Sequence, residues 1–197
     1  MKTINKFSLL LGTVLLAFTI GAIFSTQYYD VKPAFSAGSK EMFNYLSTAK
    51  ISTSSSCGLQ QKTVDNFSDQ DNVQGACCGS MDFHRYQEQV EGLKQYKKIP
   101  IIPNDPYNIP VKLNKELFRY QKSINLNKQQ QSIYDQAINM SKEGGPCCCR
   151  CWRWTAFEGL AKYLIAEKGF NGQQIASLWD LLDGCGGPGH VGEGGEH

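Results

Sequence analysis

A marked excess of charge of either sign is missing from this chain. Its 197 residues carry 20 Lys and Arg against 18 Asp and Glu, a formal net charge of +2. The densest basic spot is Lys94, Lys97 and Lys98, which reads as a solvated helix face and excludes a nucleic-acid partner. No Ser-His-Asp set, phosphate-cradling loop, dinucleotide fingerprint or CxxCH haem-attachment motif is present. No two carboxylates fall at a catalytic spacing, and Glu158 and Asp180 stand as lone acids in helical sequence. These absences argue against an enzyme of the common hydrolytic or nucleotide-dependent kinds. Alternating β patterns and internal repeats are lacking too, so the expected fold class is all-α: a single-pass N-terminal membrane helix followed by a small cysteine-rich helical domain.

What is present begins with an apolar run. Residues 7–24 carry no charge. Such a run rises about 27 Å as a helix, close to the roughly 30 Å hydrocarbon core. Lys2 and Lys6 precede it, so residues 1–6 read as a cytoplasmic n-region and 7–24 as a transmembrane signal anchor. No small-x-small cleavage site follows directly, because Ile23 and Phe24 occupy that place, and Ala34-Phe35-Ser36 lies far downstream. An uncleaved anchor is therefore preferred to a cleaved signal peptide. No cysteine ends the run, which excludes a lipobox-type lipid anchor. Both readings place the domain on the extracytoplasmic side, where disulfides are permitted, and the preferred anchor keeps it at the cell membrane.

Residues 25–79 read as a polar tether and loop, with a short helix over Ser39–Lys50. Residues 80–185 read as the helical domain. Ser80–Lys97 places Phe83, Tyr86, Val90 and Leu93 on one stripe. The four prolines of Ile99–Pro110 predict an extended strap. Further helices are predicted over Val111–Gln121, Asn127–Lys142, Pro146 to about Lys168, and from an Asn171 cap through Leu182. Residues 186–197 read as a disordered Gly-rich tail.

The most specific signal is cysteine. There are eight, and Cys147, Cys148, Cys149 and Cys151 fall within five residues. With Pro146 at the first helical position, these thiols would occupy the first turn. Cys147 and Cys151 would then be i, i+4 neighbours about 5–6 Å apart. That spacing suits two thiolates on one metal ion better than a disulfide, which wants a Cβ separation near 3.8 Å. The helix N-terminus, Arg150 and Arg153 would depress the thiol pKa values. A second cluster, Cys77-Cys78, precedes the helix that bears Met81, His84 and Glu88. Thiolate, thioether and imidazole together suit copper(I), with zinc the other candidate. Cys185 follows the last helix and could reach the 147–151 cluster. Cys57 could be a distant disulfide partner for any of these cysteines. Met81 fits packing better than ligation, and His190 and His197 lie in the tail.

Pro146-Cys147-Cys148-Cys149-Arg150-Cys151 reads P-C-x-C-x-C. It resembles the motif of the PCYCGC-motif proteins, a family of exported, membrane-tethered, metal-binding proteins. A loosely similar helical ending covers Phe170 to Leu182. The resemblance implies Cys147, Cys149 and Cys151 as metal ligands. Family members are generally lipid-anchored and carry further His and Cys after the motif; this chain has a different tether and lacks that continuation.

The reading is an extracytoplasmic protein that holds copper(I) or zinc for sequestration, delivery or sensing. Its candidate ligands are Cys147, Cys148, Cys149, Cys151, Cys185, Cys77, Cys78 and His84. Its partners would be the membrane, the metal ion and another extracytoplasmic protein. Two alternatives stand beside it: a disulfide-stapled interaction module without metal, and a thiol-disulfide oxidoreductase using Cys148 and Cys151. The second lacks the βαβ context such a motif normally has.

Overall fold

A computed structural model describes residues 36–49 and 59–186. The 1–6 and 7–24 segments, Cys57, and the tail with His190 and His197 lie outside the described residues. Two expectations on fold class are corrected. The domain is mostly helical but not all-α, because it contains a two-stranded antiparallel sheet. Among the described residues no helix is long and apolar enough to cross a membrane.

Helix α1 spans Lys40–Ser47 and is capped by the Ser39 hydroxyl, which accepts the Met42 N–H at 3.0 Å. A short α2 covers Gln61–Asp65. Strand β1, Asn72–Gln74, pairs with β2, Asn108–Pro110, with Val73 opposite Ile109. The proline-rich strap thus ends in a ladder, extended by Gly75 N–H donating to Tyr107 O at 2.8 Å. Pro110 lacks a donor and sits at the end of this pairing, the place a strand tolerates proline. Strands of three residues leave no period in the sequence, which is why neither was legible.

Helix α3 runs Phe83–Leu93 from an Asp82 cap, followed by a 3-10 turn at Lys94–Tyr96. Of its predicted stripe, Tyr86, Val90 and Leu93 are buried. Helices α4, Val111–Ser123, and α5, Lys128–Met140, follow. Helix α6 spans Trp152–Lys168 and α7 spans Gly172–Leu182. Helices α5 and α7 open with capping boxes, Asn127 with Gln130 and Asn171 with Gln174, each satisfying two otherwise orphaned N–H groups. Gly169, at φ 68, closes α6 in the left-handed conformation that glycine adopts without penalty.

Helix α4 packs along α6 and α5 along α7, with α3 against α7. Helix α6 is central and is buried on several sides, through Trp152, Ala156, Phe157, Leu160, Leu164 and Ile165. Leu117 and Phe118 of α4 meet it in the main core. Each such large apolar side chain stabilises the fold by roughly 1.5–3 kcal/mol. The crossing is close because position 159 is glycine: a Cβ there would lie 2.0 Å from Leu117 O. A smaller core joins Met42 and Leu46 to Tyr86, Val90 and Tyr107. The core therefore draws on residues well before position 80, including Val64 and Val73.

Candidate metal centre

The helix predicted from Pro146 begins six residues later, with Cys151 as its cap residue in extended conformation. Residues 141–151 form bends and turns. Gly144 and Gly145 take positive φ, 64° and 151°, so no helix continues through them. The geometry of the site explains the outcome. A helix would fan three successive thiols about 100° apart around its axis. In the irregular segment, Cys147 and Cys148 both approach Cys185.

Three segments deliver the sulfurs: the loop after β1, the loop before α6, and the end of α7. The first and third are stitched together by Cys77 N–H donating to Gly184 O at 2.8 Å and Gly79 N–H to Cys185 O at 2.7 Å. Gly186, at φ 81, crosses so close that a Cβ would meet Gly79 O at 2.6 Å. The second segment is fixed by Trp152 N–H donating to Leu59 O at 3.0 Å.

The sulfur geometry follows from this stitching. Cys147 Sγ lies 3.7 Å from Cys185 Sγ. Cys78 Sγ lies 3.9 Å from Cys148 Sγ and 4.0 Å from Cys149 Sγ. Cys148 and Cys185 are nearer, at 2.6 Å. Cys77, Cys147, Cys148, Cys151 and Cys185 are free thiols. Cys147, Cys151 and Cys185 are buried, and Cys78 and Cys148 are exposed. Three groups have ligand atoms that all lie within 4.8 Å of one another: Cys78, Cys148 and Cys185; Cys147, Cys148 and Cys149; and Cys147, Asp183 and Cys185. This cluster could hold a metal ion.

Arg153 organises the inner edge. Its side chain is wholly buried. Nε donates to Cys77 Sγ at 2.8 Å, Nη1 to Pro106 O at 2.5 Å and Nη2 to Gly75 O at 3.0 Å. Gly184 leaves the room it needs, since a Cβ there would lie 2.2 Å from Arg153 Cζ. Arg150, by contrast, turns away and stacks over Trp154, 3.6 Å from the ring centroid. Only one of the two arginines therefore adds charge beside a sulfur.

The expected lowering of thiol pKa is reversed. Hydrogen bonding to Cys151 and burial push Cys77 well above its ordinary value, against the opposing pull of Arg153. The Cys147 neighbour raises both Cys148 and Cys151, and burial adds to each. Cys147 is drawn down by its Cys148 and Cys151 contacts, but Cys185 and burial leave it raised overall. Cys185 is drawn down by Cys147, and Cys148, burial and Asp183 leave it raised. With Cys151 only capping α6, and without a side-chain cap bond, the helix N-terminus does not dominate. Buried, crowded thiols stay protonated unless a cation replaces the protons.

Of the predicted ligands, the structure brings Cys78, Cys147, Cys148, Cys149 and Cys185 into shared ligand groups, sets Cys77 against Arg153 with Cys151 nearby, and leaves His84 out. His84 is 85% exposed and pairs with Glu88 at 3.1 Å. Met81 packs in the smaller core. One residue that the sequence reading did not name, Asp183, belongs to the site. Asp183 carries a signal in retrospect, two positions before Cys185, where Oδ1 accepts the Cys185 N–H at 3.1 Å. Arg153, expected as a positive charge near the thiols, is wholly buried and also bonds Pro106 O and Gly75 O. No protein-family model, curated protein or solved structure matches this chain.

Proposed function

We propose that this protein is a binding protein for a thiophilic metal ion, copper(I) or zinc, acting in sequestration, delivery or sensing on the extracytoplasmic side. The observation that carries the reading is the set of sulfur separations. Two sulfurs held at about 2.3 Å by one tetrahedral ion lie about 3.8 Å apart. Three of the separations, 3.7, 3.9 and 4.0 Å, match that edge. The donors are sulfur with one carboxylate, and soft thiolates select copper(I) and zinc over magnesium or calcium. The test is metal uptake by the reduced, metal-free chain, followed by elemental analysis. Stoichiometric copper(I) or zinc, lost in a Cys147→Ser, Cys185→Ser double variant, is the expected result. A reduced protein that takes up neither metal refutes the reading.

A second reading, the disulfide-stapled module, has one observation in its favour: the 2.6 Å between Cys148 and Cys185. A disulfide bond is about 2.05 Å long, so a small movement separates the pair from a bond. Thiol titration of the denatured, unreduced protein distinguishes the two. Near-complete titration supports the metal reading, and absence of thiols supports the staple.

A further inference from the structure

The three ligand groups overlap, and the overlap carries a step that rests on the metal reading above. Cys148 belongs to the group with Cys78 and Cys185 and to the group with Cys147 and Cys149. Cys147 and Cys185 are likewise each shared by two groups. A single tetrahedral ion accepts four donors. The seven described sulfurs exceed that number, and they form a continuous series. Cys77 neighbours Cys151, and Cys151 neighbours Cys147. Cys147 approaches Cys185, Cys185 approaches Cys148, Cys148 approaches Cys78, and Cys78 approaches Cys149. A set of separate one-ion sites would use disjoint ligands. A thiolate retains lone pairs after binding one ion, so a shared sulfur can serve as a bridge.

We propose that these cysteines hold a polynuclear metal–thiolate cluster of two or more ions, bridged by Cys147, Cys148 and Cys185. The ions lie at different depths. Cys147 and Cys185, 1% and 4% exposed, define an inner position that Asp183 can complete. Cys78 and Cys148, both exposed, define an outer one. The outer position is the one open to ligand exchange with a donor or acceptor of the metal. Arg153, donating to Cys77 Sγ, places one buried positive charge against the thiolate-rich inner end.

The test is a titration of the full reduced chain with copper(I), and separately with zinc, read by native mass spectrometry. Two or more ions per chain are expected for at least one metal, with the single-ion species minor throughout because bridging makes loading cooperative. Cys148→Ser alters an exposed side chain and should cut the capacity below that of the parent. Saturation at one ion with both metals overturns the cluster and leaves the metal reading standing. No uptake of either metal removes both. An undiminished capacity in Cys148→Ser overturns the bridging arrangement, because the second ion would then sit elsewhere.

Discussion

Replacing Arg153 with lysine keeps the charge and removes the fork, and it should strongly destabilise the metal-free domain. Three acceptors depend on the guanidinium: Cys77 Sγ, Pro106 O and Gly75 O. They lie on the loop that follows β1 and on the strap, so one side chain ties both to the start of α6. A lysine ammonium can reach one of the three and leaves two without a donor in a site closed to water. A hydrogen bond from a charged donor contributes about 1.5–3 kcal/mol. Two lost bonds therefore cost about 3–6 kcal/mol, and water entering the shortened site favours the lower end. Domain stabilities are about 5–15 kcal/mol, so even 3 is a large share. Urea unfolding of the reduced, metal-free variant measures it. With a slope of about 1–3 kcal/mol/M, the midpoint should fall by about 1–3 M. Arg150→Lys is the internal control. It loses only an exposed stack on Trp154, worth about 0.5–1 kcal/mol. A midpoint for Arg153→Lys within that of the control would refute the assignment of Arg153 as the tie between these loops.

Other substitutions probe the packing and the site separately. Gly159→Ala sets a methyl 2.0 Å from Leu117 O, a backbone atom that cannot rotate away. Overpacking costs about 1–3 kcal/mol, and with the upper end expected here the melting temperature should fall by about 6–12 °C in a thermal scan; an unchanged value would mean α4 and α6 do not cross this closely. Asp105 is buried, and that burial raises its pKa even though Tyr86 O–H and Tyr107 N–H donate to it. A group whose folded pKa is raised contributes stability below its unfolded value, about 3.9, and loses that contribution as pH climbs through the folded value. The stability of the parent relative to Asp105→Asn should therefore decline across that window in urea titrations, and a flat difference contradicts the assignment. His84→Ala should leave copper(I) and zinc stoichiometry unchanged by mass spectrometry, because the ring is exposed and paired with Glu88; a lost ion would return His84 to the ligand set.

Where local chemistry decided the outcome, the sequence was readable. The Asn171 cap and the Gly169 stop mark real helix ends. Tyr86, Val90 and Leu93 face the core as their spacing required. Where tertiary demands competed with a local rule, the rule lost. Pro146 favours a helix start, but residues 146–150 are irregular, and Cys147 and Cys148 both lie against Cys185 there. The polar stretch before position 80 looked like a tether, yet it supplies Val64 and Val73 to the core through elements of only five and three residues. The cysteines themselves were legible. Their convergence on Cys185 depends on how the last two helices pack, and the tying role of Arg153 was not legible, because its bonds to Pro106 O and Gly75 O exist only once the loops close around it.

That closure bears on how the site can work. Its sulfurs come from three segments far apart in the chain, so it exists only in the folded state. An ion bound there stabilises the fold by its own binding free energy, and the fold must stand without it for loading to be reversible. The metal-free state has the means. Cys147, Cys151 and Cys185 pack in the main apolar core, and as raised, neutral thiols they behave as small hydrophobic groups. The Arg153 fork and the paired loops at 77–79 and 184–185 hold the frame without help from any ion. Loading then means exchange of protons for metal inside a frame already built, entering from the exposed Cys78 and Cys148 side. Acid should reverse it, since protons compete for the same sulfurs.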